Sequence, residues 1–144
     1  MQLYAHLIFD GRCEAAFKYY EEHLRGRISL MMTYDQMPSE VGAPPEWRKK
    51  IGHATFALGD WILSGSDALP GGYRKPQGFG LQFNLSDLGE AERIFKALAE
   101  DGSVEIPLQE TFWAFRFGAL VDQFGIPWMI NCERTELRSG HRAS

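Results

Sequence analysis

Cysteine is scarce in this sequence: the 144 residues contain two, Cys13 and Cys132, and no CxxC pair. A disulfide framework is therefore not expected, and both thiols are predicted to be reduced and buried. A long apolar run is also missing, because His6 and Asp10 interrupt the apolar stretch near the start of the chain. This pattern fits neither a signal peptide nor a transmembrane helix, so we expect a cytoplasmic protein with no membrane partner.

A block of positive charge is absent as well. The net charge is −4, and the nearest approach to a basic cluster is the short run Arg48-Lys49-Lys50. This composition argues against nucleic acid as the main partner. The sequence has no G-x-S-x-G motif, no Gly-rich phosphate loop around Gly59-Asp60, and no Gly-rich strand-to-helix loop of the nucleotide or S-adenosylmethionine folds. A methyltransferase would therefore need a binding site that no motif in this sequence indicates.

Aromatic residues are plentiful. The chain has ten Phe, five Tyr and four Trp, and 44% of its residues are hydrophobic. At this length the chain makes one domain, or two small halves that share a core.

The same order of predicted elements, strand-helix-strand-strand-strand, occurs twice. In the first copy, alternation from Leu3 to Phe9 predicts a strand, and apolar residues at helical spacing predict a helix that ends near Arg25-Gly26, where glycine suits a left-handed cap. The second copy begins with alternation from Phe79 to Leu85. Within one structural domain, we place the first module at residues 1–68, a linker at 69–77, the second module at 78–133 and a flexible tail at 134–144.

The predicted fold class is therefore α+β, with two paired βαβββ modules. One module alone would expose one face of its sheet, whereas two modules side by side can curl into a half-barrel cup with the helices on its convex face. Strand alternation assigns the more apolar residues to the helix side. These residues are Leu3, Ala5, Leu7 and Phe9 in the first module and Phe79, Leu81, Phe83 and Leu85 in the second.

The stretch from Gln109 to Glu133 is the most distinctive in the chain. Phe112, Trp113 and Phe115 lie close together and are followed by alternation up to Val121. The turn at residues 122–125 contains a glycine and leads into a second apolar strand, which together predict a β-hairpin. We interpret this hairpin as one wall of a small-molecule cup.

Three segments together resemble the PhnB-like branch of the vicinal oxygen chelate superfamily, also called the glyoxalase/bleomycin resistance/dioxygenase group. They are FDGRCEAAFKYY, HATFALGDWILSGSD and PLQETFWAFRFGALVDQFGIPWMIN. The resemblance extends from Leu3 to Glu133 and implies two βαβββ modules, a cup and a homodimer. It also implies, for the metal-dependent members, ligands on the first and last strands of the modules.

The positions that match those metal ligands do not carry suitable donors in this chain. They fall near Tyr4, near Gly80, at Met129 and within residues 62–66. Divalent cations need several oxygen or nitrogen donors that converge on one point. We therefore expect no metal at the usual place and no cofactor.

The cup-facing positions supply the candidate site residues. A concave surface with a few polar groups among apolar ones is typical of a small-molecule site. The predicted ligand-binding residues are Tyr4, His6, His53, Ser64, Gln82, Phe112, Trp113, Phe115, Arg116, Met129 and Asn131.

Each of the more reactive candidates has a structural alternative. His53 is a candidate general acid or base, or a histidine satisfied by hydrogen bonds, and the same choice applies to His6. Glu110 is a candidate catalytic base or a solvated loop acid. The three aromatic residues either stack on a ligand or seal an edge, and Arg116 either pairs with an anionic ligand or forms an outward salt bridge.

These residues support three hypotheses. The first is a metal-free protein that binds a small organic molecule and acts by sequestration or as a sensor. The second is a lyase, isomerase or dioxygenase-type enzyme that holds a metal through non-standard ligands such as His6, His53 or Glu110. The third is an interaction module whose cup is filled by its own aromatic residues.

Overall fold

The computed structural model describes residues 1–38 and 42–134, and the chain divides into two compact units, Met1–Arg74 and Lys75–Ser144. Apart from Arg134, the tail predicted at 134–144 lies outside the described residues. Among the described residues, no helix combines the length and the apolar character needed to cross a membrane.

Each unit is a βαβββ module, which confirms the predicted α+β fold class. The elements of the first are β1 (Ala5–Phe9), α1 (Cys13–His23), β2 (Arg27–Thr33), β3 (Ile51–Leu58) and β4 (Trp61–Asp67). The elements of the second are β5 (Leu81–Leu85), α2 (Leu88–Ala99), β6 (Ser103–Gln109), β7 (Ala114–Val121) and β8 (Pro127–Glu133). The strand order is β1-β4-β3-β2 in one sheet and β5-β8-β7-β6 in the other.

In the first module, α1 packs against one face of its sheet through an aromatic cluster. Phe17 of α1 lies 6.0 Å from Phe9 of β1 and 5.9 Å from Phe56 of β3, measured between ring centroids. A Cβ atom added to Gly65 of β4 would lie 2.7 Å from the Phe17 ring, so glycine lets the helix approach the sheet closely. We call this side the helix face and the opposite side, which α1 does not cover, the helix-free face.

The second module repeats this arrangement. Helix α2 buries Ala91, Ile94 and Leu98, and a Cβ atom added to Gly118 of β7 would lie 2.6 Å from the Phe95 ring. The helix face of this sheet includes Leu120 and the alternate residues of β8, all of them buried: Trp128, Ile130 and Cys132.

Two residues assigned to the helix side by alternation are not there. Leu3 is 93% exposed and Phe79 is 57% exposed, so the prediction that they meet the helices is wrong. Both precede the first ladder residue of their strand, since β1 begins at Ala5 and β5 begins at Leu81. Alternation indicates a face only where the chain is held in the sheet by its neighbours.

The left-handed residue after α1 is Arg25 (φ 60°) rather than the predicted Gly26. Gly26 is required for space instead, because a Cβ atom there would lie 2.4 Å from the Phe56 ring. The second module repeats the pair after α2: Asp101 has φ 58°, and a Cβ atom on Gly102 would lie 2.4 Å from the Val121 carbonyl oxygen. Both helices are thus followed by a left-handed residue and then by a glycine that is needed for space. This shared feature supports the interpretation that the two modules are repeats of one unit.

Candidate functional site

The helix-free face of the first module carries a row of polar side chains. Strand register pairs His6 of β1 with Ser64 of β4, and Ser64 with Thr55 of β3. One step along, Ile8 pairs with Ser66. Paired residues in a sheet point to the same side, so these side chains share the face that α1 does not cover.

His6 lies at the centre of this row and contacts two serines. Its Nδ1 is 2.7 Å from Ser64 Oγ, and its Nε2 is 2.9 Å from Ser66 Oγ. The ring of His53 is stacked on the same side, with its centroid 6.1 Å from that of His6 and an interplanar angle of 19°. The structure therefore brings together three of the predicted ligand-binding residues, His6, His53 and Ser64, and adds Ser66. We call these four side chains the His6 cluster.

The electrostatics of the cluster favour a neutral His6. Partial burial lowers the pKa of the His6 imidazole below its ordinary value of 6.5, and the neighbouring His53 lowers this pKa further. A neutral imidazole carries one N–H donor and one acceptor nitrogen, which is the capacity that two hydroxyl partners require.

This shift predicts how stability changes with pH. Because the pKa of His6 is lower in the folded chain than in the unfolded chain, only the unfolded chain takes up the proton between those two values. The free energy of unfolding should therefore fall as the pH drops below about 6.5, and this contribution should level off below the folded-state pKa. Urea denaturation between pH 5.5 and pH 7.5 measures the slope, which should be shallower in His6→Asn than in the wild type. An equal slope in both proteins would contradict the assignment.

The helix-free face of the second module carries amides. Register pairs Gln82 with Met129 and Asn84 with Asn131, across β5 and β8. Gln82 Nε2 donates to Asn84 Oδ1 at 2.8 Å, and Asn131 Nδ2 donates to the same oxygen at 3.2 Å. Asn131 Oδ1 is buried, and among the described residues it has no hydrogen-bond partner.

The predicted aromatic residues do not all share that face. Trp113 lies 5.5 Å from Phe117, which pairs with Asn131 and therefore belongs to the helix-free face. Trp113 also contacts Phe112 at 4.9 Å, and Phe112 is 86% exposed in the turn before β7.

Phe115 and Arg116 pair with each other instead. The Arg116 guanidinium carbon lies 4.3 Å from the Phe115 ring centroid. Arg116 is opposite buried Cys132, on the helix face, in the same register as the rest of β7, and the bulge shifts the pairing only at Ala114. Arg116 is thus separated from the amides by the thickness of its own sheet.

Two further candidates lie at the margins of the modules. Tyr4 precedes β1 and is exposed, which leaves it next to the row of polar residues but outside the ladder. Glu110 lies between β6 and β7, where one carboxylate oxygen is 3.2 Å from the Arg134 guanidinium and the side chain is 63% exposed. This contact matches the structural alternative for Glu110, a solvated loop acid.

Sequence reasoning did not single out Asp67, the last residue of β4. Its buried carboxylate accepts hydrogen bonds from the Cys13 amide at 2.9 Å and from the Ile51 amide at 2.8 Å. A pocket of about 250 Å³ beside it is lined by Gly11, Glu14, Glu46, Lys49, Lys50, Ile51 and Asp67. Asp67 is in register with Phe9 on the helix face, so this pocket lies away from the His6 cluster. The only sequence signal was an acid at the end of an apolar strand.

The residues at the family's metal positions do not fit a divalent cation. A Cβ atom added to Gly80 would lie 3.2 Å from the terminal methyl of Met129, so the two positions are neighbours, but neither side chain supplies an oxygen or nitrogen donor. In the first module, both His6 nitrogens already contact serines. Within residues 1–38 and 42–134, no group of three or more His, Cys, Asp or Glu side chains is arranged to hold a metal ion.

The sequence of this chain is similar to a known protein family and to a known protein. Residues 1–131 match the family described as 3-demethylubiquinone-9 3-methyltransferase. Protein YjdN of Escherichia coli (strain K12) is 34% identical over 139 residues, which cover 91% of this chain and 95% of YjdN.

Solved structures show the same fold. Protein PA1353 from Pseudomonas aeruginosa superposes with a TM-score of 0.85 at 42% identity, covering 92% of this chain and 98% of that one. The PhnB protein from Bacillus cereus superposes with a TM-score of 0.78 at 22% identity, covering 92% and 99%. A glyoxylase/bleomycin resistance protein/dioxygenase domain from Frankia shares the fold at 16% identity, with a TM-score of 0.61 and coverage of 93% and 98%. The chain shares its fold with the PhnB protein and with the glyoxylase/bleomycin resistance protein/dioxygenase domain, and it belongs to the family described as 3-demethylubiquinone-9 3-methyltransferase.

Proposed function

We propose that this protein binds a small organic molecule on the helix-free face of its first module, without a metal ion. The observation that carries the proposal is the His6 cluster, in which two imidazoles and two hydroxyls converge on a sheet face that α1 does not cover. A few convergent polar groups on an otherwise apolar wall are typical of small-molecule sites. The half-barrel cup, the homodimer and the cytoplasmic location expected from the sequence stay predictions.

The chemistry of this face indicates the kind of ligand. Ser66 and Thr55 offer hydroxyls that both donate and accept, and Ile8 and Ile62 add apolar surface. A molecule with a compact polar group next to a short apolar part would satisfy both. The second module contributes a separate argument for ligand binding, because the buried acceptor Asn131 Oδ1 has no partner among the described residues and a ligand N–H would satisfy it.

The family description names a methyltransferase, and this activity is not part of the proposal. A methyltransferase needs a site for its methyl donor, and the sequence contains no Gly-rich strand-to-helix loop of the S-adenosylmethionine folds. Addition of S-adenosylmethionine to the purified protein is therefore expected to leave its melting temperature unchanged.

The test is a thermal-shift screen of small organic acids, amides and alcohols on protein treated with EDTA. A ligand that binds only the folded state at 100 times its Kd stabilises the protein by about 2.7 kcal/mol, which is readily seen as a higher melting temperature. Hits should lose most of their effect in His53→Ala and in Ser64→Ala, which removes the buried hydroxyl that orients His6. They should keep it in Ser29→Ala, a matched serine whose hydroxyl donates to the Thr55 carbonyl at the exposed edge of the sheet.

Two results would overturn the proposal. One is a set of hits whose shifts are the same in the wild type and in both site variants, which would place the ligand elsewhere. The other is a stoichiometric divalent metal in the purified protein whose removal by EDTA abolishes binding. The second result would favour the metal-dependent hypothesis with His6 and His53 as ligands.

A further inference from the structure

The contacts of His6 have a chemical consequence that ligand binding does not require. A neutral imidazole has one nitrogen with a proton and one without, and both nitrogens of His6 are within hydrogen-bond distance of a serine hydroxyl. Whichever nitrogen carries the proton, the other accepts a hydrogen bond from a serine O–H. A serine hydroxyl that donates to an imidazole nitrogen is the arrangement that activates a serine nucleophile.

The environments of the two serines decide which of them can react. Ser64 is 3% exposed, whereas Ser66 is partly exposed and its contact with His6 Nε2 lies at the surface of the sheet. A substrate can reach Ser66 but not Ser64. In the tautomer with the proton on Nδ1, Ser64 Oγ accepts a hydrogen bond from Nδ1–H, which holds the ring with Nε2 turned towards Ser66.

We propose that Ser66 is a nucleophile for acyl transfer from activated esters or thioesters of small organic acids, with His6 as its general base and Ser64 as a positioning residue. The proposal rests on the proposed function, because the substrate must occupy the same helix-free face. The Ser66–His6–Ser64 geometry follows the nucleophile–base–orienting-group pattern found in unrelated acyl-transfer enzymes, with a neutral hydroxyl in place of the usual carboxylate.

The reaction balances with water as the only co-reactant. Ser66 Oγ forms a bond to the carbonyl carbon of the substrate while its proton passes to His6 Nε2. The bond from that carbon to the leaving oxygen or sulfur then breaks, and the leaving group takes the proton from His6. Water hydrolyses the acyl-serine by the same steps, which regenerates the free hydroxyl.

His53 is placed to assist the attack. Its ring is stacked beside that of His6 on the same face, at 6.1 Å between centroids, so a ring N–H of His53 can donate to the oxygen on which negative charge develops. No other ring N–H or guanidinium takes part in the hydrogen bonds of the His6 cluster among the described residues.

The experiment uses two defined probes on the EDTA-treated full chain. A fluorophosphonate should form a bond from phosphorus to Ser66 Oγ with loss of fluoride, and p-nitrophenyl acetate should give an acetyl adduct with release of p-nitrophenol. Peptide mass spectrometry locates each adduct. We expect both on Ser66, none in Ser66→Ala, and an adduct rate at least about 10²-fold lower in His6→Asn, the usual contribution of a general base. The control Ser29→Ala should react like the wild type.

The positioning role of Ser64 is tested by a change in the labelling rate of Ser66 that a simple loss of packing at Ser64 would not produce. Ser64→Ala should slow labelling of Ser66, and Ser64→Thr, which keeps the hydroxyl, should restore it. Circular dichroism and melting temperature establish that each variant is folded. If His6→Asn does not fold, His6→Gln takes its place in the comparison.

The proposal is overturned if the folded wild type forms no adduct at Ser66, or if the adduct rate is the same in His6→Asn or His6→Gln. An adduct on another residue, such as an exposed tyrosine, overturns it as well. These outcomes are distinct from failure of the proposed function. A ligand that raises the melting temperature of both the wild type and Ser66→Ala, without any acyl adduct, would leave a binding site and remove the nucleophile.

Discussion

Replacement of Asp67 by alanine should destabilise the first module by about 3–5 kcal/mol, because hydrogen bonds to a charged group are worth about 1.5–3 kcal/mol each. The carboxylate of Asp67 accepts one from the Cys13 amide at the start of α1 and another from the Ile51 amide at the start of β3. Without it, both buried N–H groups lose their partner. Urea denaturation followed by circular dichroism measures the loss.

Two further variants test whether the loss of stability comes from the two hydrogen bonds to Asp67. Asp60→Ala changes an exposed acid in the β3–β4 turn and should alter stability by less than about 0.5 kcal/mol. Asp67→Asn keeps one carbonyl acceptor, so it should fall between the wild type and Asp67→Ala. A loss below about 1 kcal/mol in Asp67→Ala would show that other groups or water satisfy the two amides.

The second large effect is expected from Phe17→Ala. Phe17 is fully buried and contacts Phe9, Tyr20 and Phe56, with ring centroids 6.0, 6.1 and 5.9 Å away. Truncation of a large buried aromatic residue costs about 3–5 kcal/mol, since it removes apolar burial and leaves a cavity. Chemical denaturation of the purified variant is the measurement.

Phe112→Ala is the matched control for this variant, because it makes the same chemical change at a position that is 86% exposed. We expect less than about 0.5 kcal/mol of destabilisation from it. A similar loss in both variants would mean that Phe112 is buried in the protein in solution, for example against a second copy of the chain. The same variant in the thermal-shift screen shows whether Phe112 contacts a ligand.

Much of the fold could be predicted from the sequence because its apolar residues recur at the regular spacing of strands and helices. Leu7 and Phe9 alternate with His6 and Ile8, and the structure places the first pair on the helix face and His6 on the other. The repeated order of elements predicted two βαβββ modules, which the structure confirms. The predictions failed at positions where tertiary packing, and not the local sequence, determines the backbone conformation. At the end of α1, for instance, Arg25 adopts the left-handed conformation, and Gly26 is needed for space against Phe56.

The candidate site was less accessible to sequence reasoning. Alternation placed His6 and Ser64 on one face, but only strand register shows that they are partners across β1 and β4. Arg116 lies opposite Cys132 on the helix face, a placement that the pairing of β7 with β8 shows. Asp67 was overlooked for a related reason: the amides that it binds are 54 and 16 positions away in the chain.

The two helices begin in different ways, and this difference bears on how each module assembles. Helix α2 is capped by its neighbour Asp87, whose side chain accepts from the Gly89 amide, so the helix start can form from adjacent residues alone. Helix α1 has no such local cap from Arg12, and its first amide is bound by Asp67, at the far end of the last strand of the module. In a chain emerging from the ribosome, this hydrogen bond can form only after β4 has been synthesised, 54 positions after Cys13. The start of α1 is thus held by a contact that closes a long loop of chain, whereas the start of α2 is held by a neighbouring residue.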